Sequence, residues 1–307
     1  MKKIYFHIGY PRSGSTYIQQ NYFSSQKKNI NFISRKFNYG SEDYFFYQTL
    51  YKIVTFNQKK FSKNLKKICQ DFKKIKLDPK KINIISEELI LCQGVWNNNN
   101  VYRTLDRLII IFKKNRISPK FIVVIRNQED LLLSYYKYFF SSYFFIKKIN
   151  FNKMIRKKEH LKQFNFFNLA IFFKKKKIQF NFFLFEDLIK IEKKFESNLY
   201  RYLGIKRHNK KFFKDKSYKI INSSNYLHKY FIAISFWFRS QKLLNIFDLL
   251  SLVNKIICRI FRDQKIKNFN ITREQKKFIN SYYYKSNLKL KNLINIKKIY
   301  LKNKNAD

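Results

Sequence analysis

Gly9-Tyr10-Pro11-Arg12-Ser13-Gly14-Ser15-Thr16 is the stretch from which the rest of the chain is read. Ahead of it, Lys3-Ile4-Tyr5-Phe6-His7-Ile8 is an apolar run of strand length, rich in β-branched and aromatic residues. Behind it, Tyr17-Ile18-Gln19-Gln20-Asn21-Tyr22-Phe23 contains no breaker and is expected to continue as a helix. Strand, glycine loop, helix is the layout that turns backbone N–H groups and a helix N-terminus toward an anion. Glycines at both ends let the chain turn tightly and let an oxyanion approach the backbone. Ser13, Ser15 and Thr16 add hydroxyl donors, and Arg12 adds a fixed positive charge. The chain has only five glycines and three prolines, and two of those glycines and one proline fall in this loop. A plainer reading uses the same residues: a strand-to-helix turn with chance glycines.

The spacing is that of a phosphate-binding loop, G-x-x-x-x-G, but the next residue departs from it. A nucleotide triphosphatase places Lys after the second glycine to reach the β- and γ-phosphates. Here Ser15 stands there, and the basic residue, Arg12, lies inside the loop. Such a loop can hold one phosphate and set charge against its bridging oxygen. It is poorly equipped for a triphosphate chain with magnesium.

A chain of 307 residues can bury a large core. With 45% hydrophobic residues, it is not a disordered polymer. Lys and Arg number 66 against 19 acids, a formal net charge of +47. That charge suits nucleic acid, an acidic polymer or an anionic membrane face. The same composition, rich in Lys, Asn, Ile, Phe and Tyr and poor in Gly, Pro and Ala, is what an AT-rich genome encodes, so coding drift accounts for much of the charge. Cys69, Cys92 and Cys258 are widely spaced, with neither a metal-binding spacing nor a disulfide framework, which fits a reducing cytosol. The longest later apolar stretch, Tyr230 to Phe238, is far short of the roughly 20 residues that span a bilayer. The expected location is the cytoplasm, with contact at most on the inner membrane surface.

Further strands are expected at Ile30–Ser34, Ile82–Ser86, Phe121–Ile125 and Ile178–Phe185. Phe61, Leu65, Ile68, Phe72 and Ile75 make one apolar helical face that Pro79 stops, and Val101, Leu105, Leu108, Ile109 and Phe112 make another. A long aromatic helix should run from about Gln128 to the Tyr143 region. Leu188 to Leu203 reads as a helix ended by Gly204, and the basic segment Lys147–Lys158 as a loop or helix edge. Alternating strands and helices give an α/β fold, a parallel sheet flanked by helices, in which ligands sit at the carboxyl ends of the strands. The glycine loop, the pair Glu87-Glu88 and Arg126 all fall at such ends. With no repeat and no Gly/Ser-rich linker, the expected organisation is one domain, an α/β core over 1–205 and a mainly helical part over 206–307.

Arg126 ends the Phe121–Ile125 strand, and Ser134 follows eight residues later, about two turns into the next helix. Arg can give a phosphate two parallel hydrogen bonds and Ser one more. Alternatively, Arg126 pairs with Glu129 or Asp130, and Ser134 only packs.

A loop of the form P-K/R-S/T-G-S/T-T after the first strand, then a strand ending in Ile125-Arg126-Asn127 with Ser eight residues after the Arg, resembles the PAPS-dependent sulfotransferases of bacterial type. PAPS is 3′-phosphoadenosine 5′-phosphosulfate. Leu184-Phe185-Glu186-Asp187-Leu188, then Phe195 and Tyr202-Leu203-Gly204-Ile205, are similar to the family's "YEDL" and "FLGI" stretch. Asn222-Ser223-Ser224 and Tyr284-Lys285-Ser286-Asn287-Leu288 look like the tail of its bacterial members. The resemblance implies a P-loop-type α/β fold. It implies that Arg12, Ser13, Gly14, Ser15 and Thr16 hold the 5′-phosphosulfate, with Tyr17 near the adenine. Arg126 and Ser134 would hold the 3′-phosphate that distinguishes PAPS from ATP. PAP is then the product, and no metal is implied. Arg12 stands where many members carry Lys; a guanidinium does not give up its proton, so its role is electrostatic rather than that of a proton donor.

Sulfuryl transfer also needs a base for the acceptor's proton. Glu87 and Glu88 are the first candidates, because they follow a buried strand expected beside the loop strand. Glu42 and Asp43 come next. His7 is expected to be packed inside, and Glu186 and Asp187 to cap helices. His160, His208 and His228 are isolated and read as ordinary residues rather than ligands. The acceptor is expected to be anionic or carbohydrate, such as a glycan or lipid-linked glycan. Three rivals remain: a sulfotransferase-like fold that has lost activity, a P-loop kinase or NTPase, which Ser15 in the lysine position disfavours, and a basic nucleic-acid binder. For the last the charge is spread along the chain and no binding module shows itself, so no specific nucleic acid is expected.

Overall fold

Alternation sorts the strand side chains onto two faces of one sheet. The computed structural model describes residues 4–10, 12–34, 42–91, 101–139, 149–205 and 270–294. Within them, β1 (Ile4–Gly9), β2 (Ile30–Ile33), β3 (Ile82–Ser86), β4 (Lys120–Ile125) and β5 (Phe180–Leu184) form a five-stranded sheet in the order β2-β3-β1-β4-β5. Every pair is parallel. Ile4, Phe6 and Ile8 of β1 and Phe121, Val123 and Ile125 of β4 join one apolar cluster, while Tyr5, Ile122 and Val124 join another on the opposite face. Both faces are covered, so the central strands are continuously buried and carry almost no polar side chains.

The larger cluster is closed by α2 (Glu42–Thr55), α3 (Gln58–Lys73), α4 (Val101–Lys114), α5 (Gln128–Phe139) and α8 (Phe166–Lys175), with the short α6 (Phe151–Arg156) and α7 (Lys158–Lys162) and the late α11 (Arg273–Lys291). The smaller is closed by α1 (Ser15–Ile18) with the turns after it, and by α10 (Glu192–Leu203), which follows α9 (Phe185–Lys190). Side chains stop the helix starts cleanly: Asn57, Asn150 and Asn165 accept from the backbone N–H three residues on, and Thr272 with Gln275 forms a capping box. Gly204 ends α10 in the left-handed conformation, φ 71°.

The chain leaves β1 toward β2, returns to β3, then crosses β1 to β4 and continues outward to β5. The connections after β1 and β4 therefore run in opposite directions from neighbouring strands. This is the switch point at which open α/β sheets leave a crevice at their carboxyl edge.

The expected parallel α/β sheet is present, and four details differ. The run after the loop is α-helical only to Ile18; Gln19–Phe23 forms a π-turn and Ser24–Gln26 a 3-10 turn. That turn swings Tyr22 and Phe23 inward, both fully buried. Leu188–Leu203 is not one helix, because Ile191 (φ −139°, ψ 58°) separates α9 from α10. The basic Lys147–Lys158 segment contains α6, whose Phe151, Met154 and Ile155 are buried. α3 ends at Lys73, short of Pro79. Among the described residues of the C-terminal part, α11 is helical as expected; Cys92, Cys258, His208, His228, Pro11 and Asn222-Ser223-Ser224 lie outside them.

Candidate functional site

The loop after β1 is fixed by its own backbone. The carbonyl of Tyr10 accepts both the Ser13 N–H (3.1 Å) and the Ser13 hydroxyl (2.5 Å). Two residues sit at positive φ, Arg12 at 72° and Gly14 at 80°. Glycine adopts this readily, but Arg does so at a cost of about 1 kcal/mol or more, so tertiary bonds must hold it. Gly14 is closely covered: a Cβ there would stand 2.9 Å from Leu188 Cδ2 and 3.0 Å from the Phe185 ring. A Cβ on Gly9 would collide with Ser15 Oγ. Ser15 is buried, and its hydroxyl has no hydrogen-bond partner among the described residues. Thr16 is exposed. The N–H groups of Ser15, Thr16 and Tyr17, in the first turn after Gly14, have no acceptor within the helix.

The switch point brings the second basic residue to this loop. Arg126, just past β4, donates from Nη1 to the Arg12 carbonyl at 2.9 Å. Arg12 in turn donates from Nε to Ser134 Oγ at 3.2 Å, reaching the face of α5 that folds back over the strand end. The Arg126 guanidinium stacks on the Phe185 ring, 4.7 Å from its centroid. Arg12, Arg126 and Ser134, which are 114 and 122 residues from the loop in sequence for the latter two contacts, thus form one cluster. Two guanidinium groups, a hydroxyl and a tight loop with an unmatched serine hydroxyl are a donor set for anionic oxygens.

The two glutamates after β3 follow on the other side of β1. The Glu87 N–H donates to the His7 carbonyl at 3.0 Å, extending the β1–β3 ladder one step past the His7–Ser86 pair. Glu87 is therefore set beside the last residues of β1, and it is buried, 3% exposed. Glu88 opens a 3-10 turn, Glu88–Leu91, and is half-buried. Glu42 and Asp43 begin α2, and their side chains lie outside the described residues. His7 is packed inside. Its Nδ1 lies 2.7 Å from Ser86 Oγ, which also accepts from Gln19 Nε2 at 2.8 Å, and the ring stands edge-on to Phe23. Burial pulls the His7 pKa down to about 3, so the ring is neutral and cannot supply charge to the site. His160 is also buried, with its pKa lowered by the same cause.

Glu186 has a different task from capping its own helix. Its Oε1 accepts the Asn127 N–H at 2.8 Å, at the start of α5, where negative charge is favourable. Asn127 Oδ1 in turn accepts the Glu129 N–H at 3.1 Å. Glu129 accepts from Asn280 of α11, and Gln128 exchanges bonds of 3.0 and 3.2 Å with Asn287. The tail stretch containing Asn287 therefore secures the helix that carries Ser134. Tyr17 points to α10: its hydroxyl and that of Tyr22 both donate to Glu192 Oε1, at 2.6 and 2.8 Å. Sequence reasoning missed Phe185, which touches Gly14 and Arg126 alike, although it lies inside the quoted Leu184–Leu188 stretch. Gln19 was missed as well, because its position depends on the π-turn. Among the described residues no group of three His, Cys, Asp or Glu side chains has metal-holding geometry, and no helix is long and apolar enough to cross a membrane.

No protein-family model matches the sequence, and neither does any curated protein. Solved structures do. A sulfotransferase from Alicyclobacillus acidocaldarius superposes with a TM-score of 0.50 at 9% identity, over 98% of this chain and 99% of that one. The sulfotransferase domain from the curacin biosynthetic pathway aligns over 68% of this chain and 76% of its own, with a TM-score of 0.39 and 14% identity. The first of these likenesses spans nearly the whole of both chains and shows that the fold is the sulfotransferase fold.

Proposed function

We propose that the chain is a sulfotransferase that moves a sulfuryl group from PAPS to a hydroxyl or amine of an acceptor. The observation that carries this reading is the Arg126–Arg12–Ser134 cluster at the switch point, next to a loop that keeps a serine hydroxyl unmatched. One anionic group fits the loop through Gly14, Ser15 and Thr16, with Ser13 bracing the turn on the Tyr10 carbonyl rather than donating to the ligand, and a second fits Arg126 and Ser134. Two anion seats suit a 3′-phosphorylated adenylate better than a triphosphate, for which the loop has Ser15 where a lysine would be needed. The fold likeness to a sulfotransferase supports the same choice.

In the transfer, the bond from sulfur to the donor's bridging oxygen breaks, a bond from sulfur to the acceptor forms, and PAP leaves. Arg12 meets the charge that grows on the bridging oxygen, and the loop N–H groups meet that on the phosphate. The acceptor's proton goes to a carboxylate at the edge of β3. Glu87 is the better placed, with its backbone tied to β1, and Glu88 is the next candidate. Tyr17, held by Glu192, borders the seat for the adenine. The acceptor class that best suits a chain of +47 is anionic or carbohydrate, a glycan or lipid-linked glycan.

Calorimetric titration with PAP, and with ATP plus magnesium, tests the donor. Wild type should bind PAP without magnesium, and Arg12→Ala and Arg126→Ala should each weaken it about tenfold or more. Unchanged affinity in both variants, or a magnesium-dependent preference for ATP, would overturn the reading. Labelled PAPS incubated with extract of the source cell, followed by mass spectrometry for a sulfated product, identifies the acceptor.

A further inference from the structure

The most exposed large apolar side chains among the described residues are Ile189 and Ile191, 50% and 46% exposed. They flank Lys190 at the break between α9 and α10. The run Ile189-Lys190-Ile191-Glu192-Lys193-Lys194 is exposed throughout and carries three lysines against one glutamate. That glutamate already accepts the hydroxyls of Tyr17 and Tyr22, so the outward character of the corner is apolar and basic.

The corner adjoins the candidate site. α9 begins where β5 ends, at the ligand edge of the sheet, and its Phe185 and Leu188 close over Gly14 of the loop. Glu192 at the start of α10 holds Tyr17, the residue that follows Thr16. Whatever binds Ile189 and Ile191 is thereby brought up to the mouth of the loop.

We propose that this corner docks on an anionic lipid surface and that the acceptor is presented from that membrane; the second half rests on the sulfotransferase reading. Half-exposed isoleucines enter the boundary between headgroups and acyl chains, while flanking lysines keep their ammonium groups at the lipid phosphates. A protein partner is the weaker fit, because a stable interface covers about 800 Å² per side and the apolar part here is two side chains set among charges. The net charge of +47 draws the whole molecule toward an anionic surface, and the two isoleucines decide which corner lands.

Flotation with vesicles tests this, using the full chain as wild type, as Ile189→Ser/Ile191→Ser and as Ile110→Ser. Ile110 is 40% exposed on α4 and serves as the apolar control. The serine changes leave the charge untouched, so they separate the apolar wedge from general basicity. Wild type and Ile110→Ser should float with vesicles of phosphatidylglycerol and phosphatidylcholine in equal parts and not with phosphatidylcholine alone. The double variant should bind the anionic vesicles about tenfold more weakly. Equal binding by wild type and the double variant, no binding by wild type, or equal binding to both vesicle types would overturn the proposal. PAP titration of the same preparations separates the two claims. PAP binding with no vesicle binding removes the docking corner and leaves the donor site, whereas vesicle binding lost only in the double variant, without PAP binding, upholds the corner and removes the sulfotransferase reading.

Discussion

Arg126 Nη1 donates to the main-chain oxygen of Arg12 at 2.9 Å, so the cation at the end of β4 is also a strut for the loop after β1. The contact braces Arg12 at a φ of 72°, a left-handed conformation that costs a non-glycine residue about 1–2 kcal/mol. Under the proposed sulfotransferase reading, Arg126 has two ways to act on a bound donor: directly on the 3′-phosphate and indirectly through the loop. Titration of Arg126→Ala with PAP and with adenosine 5′-phosphosulfate, which lacks the 3′-phosphate, divides them. The loss should reach about a hundredfold for PAP, from charge-assisted bonds, and only a few-fold for the second ligand. Equal losses for both ligands would assign Arg126 to the loop alone.

Gly14 and Gly204 share nearly the same backbone, φ 80° and 71°, and differ in surroundings. A methyl group on Gly14 meets Leu188 and Phe185 at 2.9–3.0 Å, whereas on Gly204 nothing lies within 4 Å. Gly204→Ala should cost about 1 kcal/mol of unfolding free energy from the left-handed conformation alone. Gly14→Ala should cost about 2–4 kcal/mol, because Leu188 and Phe185 must also move. Denaturant unfolding of the two variants measures the difference, and equal costs would show that α9 does not press on the loop as described.

The sheet was legible because its strands are uninterrupted apolar runs ending at charged residues, as at Ile125-Arg126 and Ser86-Glu87. Their order was legible only in part: β3 was expected beside β1 and lies there, but no local pattern says that β4 lies on its other side, and that adjacency brings Arg126 to Arg12. α8 escaped because Phe166–Lys175 is apolar on nearly every side and shows no clear period. The break at Ile191 escaped because it uses neither Gly nor Pro. The π-turn at Gln19–Phe23 is set by the burial of Tyr22 and Phe23 against the sheet, which is a tertiary cause. Phe185 was hidden for the same reason, since a ring's two neighbours from distant strands leave no mark on its own segment.

Gln128 and Asn287 exchange two amide hydrogen bonds, at 3.0 and 3.2 Å, in a buried contact between α5 and α11. Removing one partner strands the other without water, so Asn287→Ala should cost about 1–3 kcal/mol. Replacing both with leucine removes the unmet polar groups and should recover most of that loss. A double-mutant cycle from denaturant unfolding gives the coupling. Because α5 carries Ser134, Asn287→Ala should also lower PAP affinity a few-fold. Additive single effects would show that the two amides do not depend on each other.

His7 sets a pH limit on the fold. Its ring is buried and neutral, with a pKa pulled down to about 3, against about 6.5 in the unfolded chain. Between those values the unfolded state holds a proton that the native state lacks, so stability rises with pH across the window and falls on acidification. The slope from this one group is about 1.4 kcal/mol per pH unit at most, below pH 6. Neither ring edge offers relief: Nδ1 is taken by Ser86, and Nε2 has no partner among the described residues. His7→Gln keeps a group that can bond Ser86 but cannot gain a proton. Unfolding free energies measured at pH 7, 6 and 5 should fall more steeply for wild type than for His7→Gln. Parallel curves would mean that His7 is protonated in the folded protein, and that the chain from Gln19 through Ser86 opens to admit the charge.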